Sequence, residues 1–292
     1  MAGIIDEIKD TYKNGNLLIK LIFINSAVFV LFKMVFLFYF FTERTAFFPI
    51  SEWMAMPSSP MALLYKPWTL ITYMFYHEEI LHFLFNMLNL YWFGKIFLLY
   101  FDEKKLVSVY LIGGVAGGLL YFALYNVFPA TFHPAILMGA SASIIAIMTA
   151  AAIYAPNFKL YMVFIGEVKL IYIVIFSVIL YAILIASDNP GGNIAHLGGA
   201  FFGYLWAKQF MKGRELTRGF SGFLDSVYSL FKRKKLKVTY KRPPTNDLEY
   251  KKQKLINQKE VDRILDKISK GGYESLSKEE KETLFKVSNK TN

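Results

Sequence analysis

The chain has 292 residues, of which 55% are hydrophobic and 17% aromatic, and its mean hydropathy is +0.35. Soluble domains rarely carry such an apolar excess, so the composition favours a polytopic membrane protein. The formal net charge of +11 is weighted toward the C-terminal region, which indicates a basic cytoplasmic face rather than a nucleic-acid-binding protein. The lack of cysteine excludes disulfides, thiolate catalysis and cysteine-ligated metal sites.

Six apolar stretches predict an all-α protein with six transmembrane helices, at residues 21–41, 80–101, 106–128, 137–154, 169–187 and 194–211. The first is long enough to cross a hydrocarbon core, and it lacks the small-residue cleavage site of a signal peptide. Residues 1–20 fit a short amphipathic surface helix and a solvated leader about equally well. The Pro-rich, partly apolar residues 42–79 predict a loop half-sunk in the membrane interface.

The distribution of basic residues between the spans predicts the orientation of the chain. Lysines follow the second and fourth spans, and Lys and Arg follow the sixth, whereas residues 129–136 contain neither. Cytoplasmic loops carry an excess of Lys and Arg, so both termini are predicted to be cytoplasmic, in a prokaryotic inner membrane. The second, fourth and sixth spans then all run inward from the outer face, and their first turns lie at a similar depth.

Glycines recur at helical spacing in the third and sixth spans. They are Gly113, Gly114, Gly117 and Gly118 in the third span and Gly198, Gly199 and Gly203 in the sixth. Small residues four apart let helices approach closely in lipid, so both spans are predicted to be central to the bundle. Flexible hinges are the weaker interpretation.

Polar side chains gather in the first turns of the inward-running spans. His82 and Asn86 lie in the second span, Ser141 in the fourth and His196 in the sixth. Polar groups at membrane depth are functional candidates, although hydrogen bonds between helices remain the alternative for any one of them. A base, a nucleophile and hydrogen-bond donors at one level are what acyl transfer requires. We therefore expect a site formed by these four residues, and a structural role for Ser143.

The roles follow from donor and acceptor capacity. A serine hydroxyl needs a base to accept its proton, and an imidazole is suited to that task. No acidic residue lies within the fourth or sixth span, so a Ser141–His196 dyad is expected rather than a triad. His82 and Asn86 share one face of a helix, and their N–H groups and the Ser141 backbone N–H are expected to stabilise an oxyanion.

Two competing motifs do not fit the sequence. The residues around Ser141 do not form the G-x-S-x-G elbow of soluble hydrolases. His77 and His82 are five positions apart, about 140° around a helix, rather than adjacent on one face as in zinc proteases. A metal site is therefore a minor alternative, and no cofactor is expected.

Residues 66–210 resemble the rhomboid family of intramembrane serine proteases. Gly139-Ala140-Ser141-Ala142 matches the family's G-x-S-x motif, and the segment from His82 to Asn86 matches its H-x-x-x-N. Thr72, Phe75 and His77 are similar to the end of the family's first loop. The resemblance implies that Ser141 is the nucleophile, and that His82, Asn86 and Gly139 bind substrate and support the oxyanion.

The sixth span completes the resemblance. His196 is followed by Gly199 and Gly203, matching the family's catalytic histidine and the G-x-x-x-G that brings the fourth and sixth spans together. The resemblance implies a six-helix bundle with a water-filled cavity open to the outer face, which cleaves transmembrane segments of other proteins without a metal or cofactor. One departure is Ile145, where relatives often place an aromatic ring against the catalytic imidazole. Another ring, or a less rigid histidine, is then expected.

The chain is expected to have three parts: the N-terminal segment 1–20, a protease core at 21–212 and a basic cytoplasmic tail at 213–292. An apolar stripe from Phe220 to Phe231 runs into a basic cluster at 232–235. This predicts a helix on anionic lipid, with packing on the protein as the alternative. Beyond it, a small helical hairpin is expected, with Ser277 and Glu280 forming a capping box.

Three functions are weighed. An intramembrane serine protease is preferred because Ser141 and His196 are both present. A catalytically silent rhomboid-like protein that binds membrane proteins or acts in quality control is the alternative. A transporter is disfavoured because this chain is expected to have no ionisable side chain in mid-bilayer.

Overall fold

The computed structural model describes residues 3–42, 50–162, 165–220, 222 and 247–288. It divides the chain into two compact units, Met1–Lys232 and Arg233–Asn292. Both units are mostly helical.

The first unit begins with two helices and a run of short ones, followed by five longer helices. The helices are α1 (Ile4–Asn14), α2 (Leu17–Phe41), α3 (Ile50–Met54), α4 (Pro60–Tyr65), α5 (Thr69–Thr72), α6 (Ile80–Leu98), α7 (Glu103–Val127), α8 (Ser141–Tyr154), α9 (Leu170–Ile183) and α10 (Pro190–Met211). Single 3-10 turns follow α5 at Tyr73–Phe75 and α9 at Leu184–Ala186. Side-chain caps explain several starts: Asn16, Asp102 and Asn189 each accept a backbone N–H from the first turn of α2, α7 and α10.

Two antiparallel strand pairs correct the all-α expectation. Strand β1 (Met56–Pro57) pairs with β2 (Ile136–Leu137), and β3 (Lys159–Met162) pairs with β4 (Gly166–Lys169). The first pair joins the loop after α2 to the segment just before α8. Both segments are extended, and the pairing supplies hydrogen-bond partners for their backbone N–H and C=O groups. The fourth predicted span therefore starts at Ser141 and not at residue 137.

The membrane-crossing potential of the helices is uneven. Among the described residues, α2 and α7 are long and apolar enough to cross a membrane by length and composition, whereas α8 and Leu170–Ala186 are apolar but shorter. Helix α8 has 14 residues and is thus about 21 Å long, less than a hydrocarbon core of about 30 Å. Most of α8 is covered by the neighbouring helices, since residues 142–152 are all buried.

Small residues bring α7, α8 and α10 into direct backbone contact, which confirms the predicted central position of the glycine-bearing helices. A Cβ on Gly117 of α7 would lie 2.7 Å from the Ala195 carbonyl oxygen of α10 and 2.8 Å from the Ala142 Cβ of α8. A Cβ on Gly198 would lie 2.8 Å from the Gly117 Cα. No larger side chain fits between these helices, so the glycines set their separation.

The second unit contains α11 (Asp247–Gly271) and α12 (Lys278–Ser288), with a 3-10 turn at Tyr273–Ser275 between them. The predicted capping box is present: Ser277 N–H donates to Glu280 Oε2 at 2.8 Å, and Glu280 N–H donates to Ser277 Oγ at 3.3 Å. The Lys267 ammonium of α11 also donates to Glu280 of α12, at 2.8 Å from Oε2, so the two helices are in contact. The predicted membrane-surface helix and its basic cluster fall almost entirely on residues 223–246, outside the described residues.

The capping carboxylate makes the start of α12 sensitive to acid. Hydrogen bonds from the Lys267 ammonium and the Ser277 N–H lower the pKa of Glu280 to about 2. A depressed pKa stabilises the folded form above the unfolded value of about 4.3, and this stabilisation is lost as the pH falls toward 2. The protection factors of the α12 amides in the full chain, which compare each exchange rate with the intrinsic rate at the same pH, should therefore fall across that window. The Glu280→Gln variant should be less protected at neutral pH and lack the acid-dependent step.

Glu274→Gln is the matched control, because Glu274 is almost fully exposed and lies 3.9 Å from Lys281. Its exchange profile should follow that of the wild type. A wild-type acid step that persists in Glu280→Gln would show that another group governs the hairpin.

Candidate functional site

Two side chains that are 55 residues apart in sequence meet between α8 and α10. His196 Nε2 lies 2.6 Å from Ser141 Oγ, which is hydrogen-bonding distance for a hydroxyl and a base. Ser141 is the first residue of α8, and His196 lies in the second turn of α10. The structure thus brings together the two residues that the sequence predicts as nucleophile and base.

The start of α8 exposes backbone donors beside Ser141. Gly139 has φ of +108°, in the region that favours glycine, and its N–H donates to the Tyr73 carbonyl at 2.8 Å. This bend ends β2 and turns the chain into the helix. The first N–H groups of a helix have no intrahelical acceptor and carry partial positive charge. The Ser141 N–H is therefore in a position to donate to negative charge developing next to Ser141 Oγ.

His82 packs against the backbone at this bend. A Cβ on Gly139 would lie 2.8 Å from His82 Cε1 and 2.9 Å from His82 Nε2. The imidazole therefore occupies the space that any other residue at position 139 would need. This contact joins α6 to the segment that carries Ser141, as the H-x-x-x-N and G-x-S-x motifs lead one to expect.

Asn86 lies one turn below His82 and is buried. Its Nδ2 donates to the His82 carbonyl at 2.8 Å, which uses one of its two amide hydrogens within α6. One N–H remains for a second acceptor. Asn89 makes the same bond to the Phe85 carbonyl and is half-buried. Ser143 is fully buried on the α7-facing side of α8, beside Gly114.

His77 has a role at the site that the sequence does not reveal. Its ring is only 2% exposed, and its Nε2 accepts the Ala140 N–H at 3.2 Å. The ring also packs edge-on against His82, with centroids 5.4 Å apart. His77 therefore stabilises the bend before Ser141, and only its place at the end of the first loop could have indicated this. No group of three His, Cys, Asp or Glu side chains among the described residues is arranged to hold a metal ion.

Tyr181 of α9 is a second residue that the sequence does not single out. Its ring centroid lies 4.3 Å from that of His196, with an angle of 55° between the planes. Ile145, one turn after Ser141, is buried and aliphatic. The ring against the imidazole thus comes from a different helix from the one that the family motif suggests.

The predicted contact between α8 and α10 lies directly below the Ser141–His196 pair. A Cβ on Gly199 would overlap the Ala142 carbonyl oxygen, and one on Gly203 would overlap the Ala146 carbonyl oxygen. The two helices are therefore in backbone contact over two turns. Since His196 is one turn from Gly199, this contact sets the distance between the imidazole and Ser141.

An ionisable side chain in α2 corrects one expectation. Lys33 lies well inside the helix, with its ammonium 5.7 Å from the Phe29 ring and 5.8 Å from the Phe36 ring. It lines a cavity of about 160 Å³ together with His77 and Glu78. The expectation that no ionisable side chain lies in mid-bilayer is therefore wrong for the first predicted span, since Lys33 is near the centre of residues 21–41. A single lysine does not disturb a hydropathy average, so the apolar stretch was still detected.

Replacing Gly139 by alanine tests the bend. The new Cβ meets the His82 ring and also strains a backbone with φ of +108°, which costs about 1–3 kcal/mol. We expect slower reaction of Ser141 with a fluorophosphonate, measured in the purified chain. Gly166→Ala is the control, because Gly166 has φ of +88° but no atom within 4 Å of the added Cβ. Equal rates for the two variants would show that the His82 contact is unimportant.

Comparisons with known proteins give a family match in each of the two units. A family model described as the Rhomboid domain matches residues 65–213, and one described as a family of unknown function (DUF6576) matches residues 244–290. RHOMBOID-like protein 12, mitochondrial, from Arabidopsis thaliana is 30% identical over 159 residues, covering 50% of this chain and 47% of that protein. The chain thus spans about half the length of this relative.

Proposed function

The chain belongs to the rhomboid family, and we propose that it is an intramembrane serine endopeptidase that cleaves transmembrane segments of other membrane proteins. The observation that carries the proposal is the 2.6 Å contact between Ser141 Oγ and His196 Nε2. A hydroxyl paired with an imidazole, beside a backbone N–H at a helix start, is the arrangement that peptide-bond hydrolysis by a serine requires.

The proposed reaction uses Ser141 and His196 in two stages. His196 Nε2 accepts the proton of Ser141 Oγ as the oxygen attacks the scissile carbonyl, and then donates that proton to the leaving amine. Water next attacks the acyl-enzyme, with His196 again as base, and releases the second product. The two groups suffice in principle, because a serine–histidine pair can act without a third catalytic residue when packing orients the imidazole.

The oxyanion of each tetrahedral intermediate is assigned to donors from two helices. The Ser141 backbone N–H lies at the start of α8, and His82 lies against Gly139 beside it. The free N–H of Asn86 is the third proposed donor. Donors fixed before the reaction stabilise negative charge without reorganising, which is why such a site lowers the barrier.

The six-span topology forms part of the proposal. We assign the membrane crossings to α2, α6, α7, α8, α9 and α10, with both termini on the cytoplasmic side and Ser141 near the outer face. The length and apolar character of α2 and α7 support this, as does the enclosure of α8 by its neighbours. The relative's name places that protein in a mitochondrion, so the comparisons do not favour the predicted prokaryotic inner membrane, and we propose a membrane location without assigning the compartment.

A cleavage assay tests the function directly. The full chain is purified, reconstituted in liposomes and incubated with a panel of single-span model proteins, and the products are identified by mass spectrometry. Wild type should cut within or next to the transmembrane segment, and Ser141→Ala should not. If wild type yields no more product than Ser141→Ala with every substrate, the protease assignment is wrong and the catalytically silent rhomboid-like alternative is favoured.

A further inference from the structure

The imidazole of His196 is held by a single hydrogen bond. Nε2 contacts Ser141 Oγ, whereas the buried Nδ1 has no hydrogen-bond partner among the described residues. In a Ser-His-Asp triad, a carboxylate on Nδ1 orients the ring. The ring torsion of a histidine has only a broad intrinsic preference, so packing has to orient the ring of His196.

The inward face of α9 supplies the packing partner. The residues of α9 and the turn after it that pack against the core are Leu170, Ile171, Ile173, Val174, Val178, Tyr181 and Ile185. From Ile171 onward, Val174, Val178, Tyr181 and Ile185 follow one another at helical spacing of three and four. The others are aliphatic, and Tyr181 alone carries a ring, at the level of His196. Among the described residues the Tyr181 hydroxyl makes no hydrogen bond. Hydrogen bonding therefore does not explain the presence of a tyrosine in this aliphatic stripe.

The neighbouring helix cannot supply that ring. Ile145 is four residues after Ser141, on the same face of α8, and its aliphatic side chain has no flat surface to set against an imidazole. A tilted aromatic pair with centroids 4.3 Å apart is close enough to restrict the ring of His196 to one orientation.

We propose that Tyr181 is the positioning residue of the site, which holds the His196 ring in the orientation that directs Nε2 at Ser141 Oγ. This inference rests on the proposed function. Tyr181 acts through its ring and not through its hydroxyl, and it compensates from α9 for the aliphatic residue at position 145. Its ring contact is with the proposed base, so its loss should slow the chemical step and leave substrate binding unchanged.

Three variants test this role. Tyr181→Leu fills much of the space without a ring, Tyr181→Phe keeps the ring, and Tyr172→Leu removes a tyrosine from the 58% exposed position 172 of the same helix. Two rates are measured on the purified full chain in liposomes: labelling of Ser141 by a fluorophosphonate and cleavage of a transmembrane substrate. If Tyr181→Leu does not yield folded protein, Tyr181→Met takes its place, since its flexible side chain fills gaps without a ring.

Loss of the aromatic pair should lower the labelling rate and kcat of Tyr181→Leu about tenfold with KM unchanged. Tyr181→Phe and Tyr172→Leu should stay within about twofold of wild type on the same scale. A wild-type rate in Tyr181→Leu would overturn the inference, as would a loss in Tyr181→Phe equal to that in Tyr181→Leu. Wild type that neither labels at Ser141 nor cleaves substrate would instead overturn the proposed function.

Discussion

Alanine replacements of Ser141 and His196, made singly and together, should reduce substrate cleavage to the same residual rate. The two side chains share one hydrogen bond of 2.6 Å and are proposed to act as a unit, so removing either one abolishes the attack. In soluble serine proteases such losses reach about 10⁶-fold in kcat and are not additive. Initial rates for the three variants, measured with one transmembrane substrate, test this expectation.

Ser143→Ala is the matched control for these variants. Ser143 lies two residues further along α8, about 200° around the helix, and is fully buried. Its replacement should leave cleavage close to the wild-type rate. A loss in Ser143→Ala as large as that in Ser141→Ala would move the nucleophile to residue 143. A double variant far slower than either single variant would show that Ser141 and His196 act independently.

Gly199→Val should cause the second-largest loss, through the separation of two helices rather than through the chemistry. Even the Cβ of a new side chain would overlap the Ala142 carbonyl oxygen, so α10 has to move away from α8. Overpacking of this kind costs about 1–3 kcal/mol or more, and the shift also pulls His196 away from Ser141. We expect a lower thermal midpoint together with a cleavage rate reduced at least about tenfold.

Gly219→Val is the control, because a Cβ at Gly219 has no atom within 4 Å. It should match wild type in both thermal midpoint and cleavage. If Gly199→Val keeps the wild-type midpoint and rate, the α8–α10 contact does not set the geometry of the site.

The contact between Ser141 and His196 and the glycine contacts were predictable because each depends on a local pattern. Ser141, His196, Gly199 and Gly203 lie in short motifs whose spacing places small residues and reactive groups on defined helix faces. The predicted helix positions agree with the structure to within a few residues, because each apolar stretch is also a local pattern. The capping box of Ser277 and Glu280 was also readable from local sequence.

The bend before Ser141 was not predictable from hydropathy. Leu137 is apolar and its hydropathy predicts a helix, yet it lies in β2 opposite Met56. A short apolar run cannot be assigned to strand or helix from periodicity alone, and the partner strand lies about eighty positions earlier. The role of His77 is also not predictable from local sequence. Its Nε2 accepts a hydrogen bond from the Ala140 N–H, and Ala140 is 63 residues further along the chain.

The ring that packs on His196 was hidden by sequence distance. The family pattern points to position 145 on α8, whereas the contact comes from Tyr181, fifteen residues before His196 and on a different helix. Only the folded arrangement of α9 against α10 shows that an aromatic side chain can replace the one missing from α8.

Mapping the fluorophosphonate adduct is the most direct test of the claim that His196 activates Ser141. The purified full chain is labelled, digested and fragmented by mass spectrometry so that Ser141 and Ser143 are distinguished. The adduct should lie on Ser141 in wild type and be absent from His196→Ala. An adduct on another residue, or an undiminished Ser141 adduct in His196→Ala, would contradict that claim.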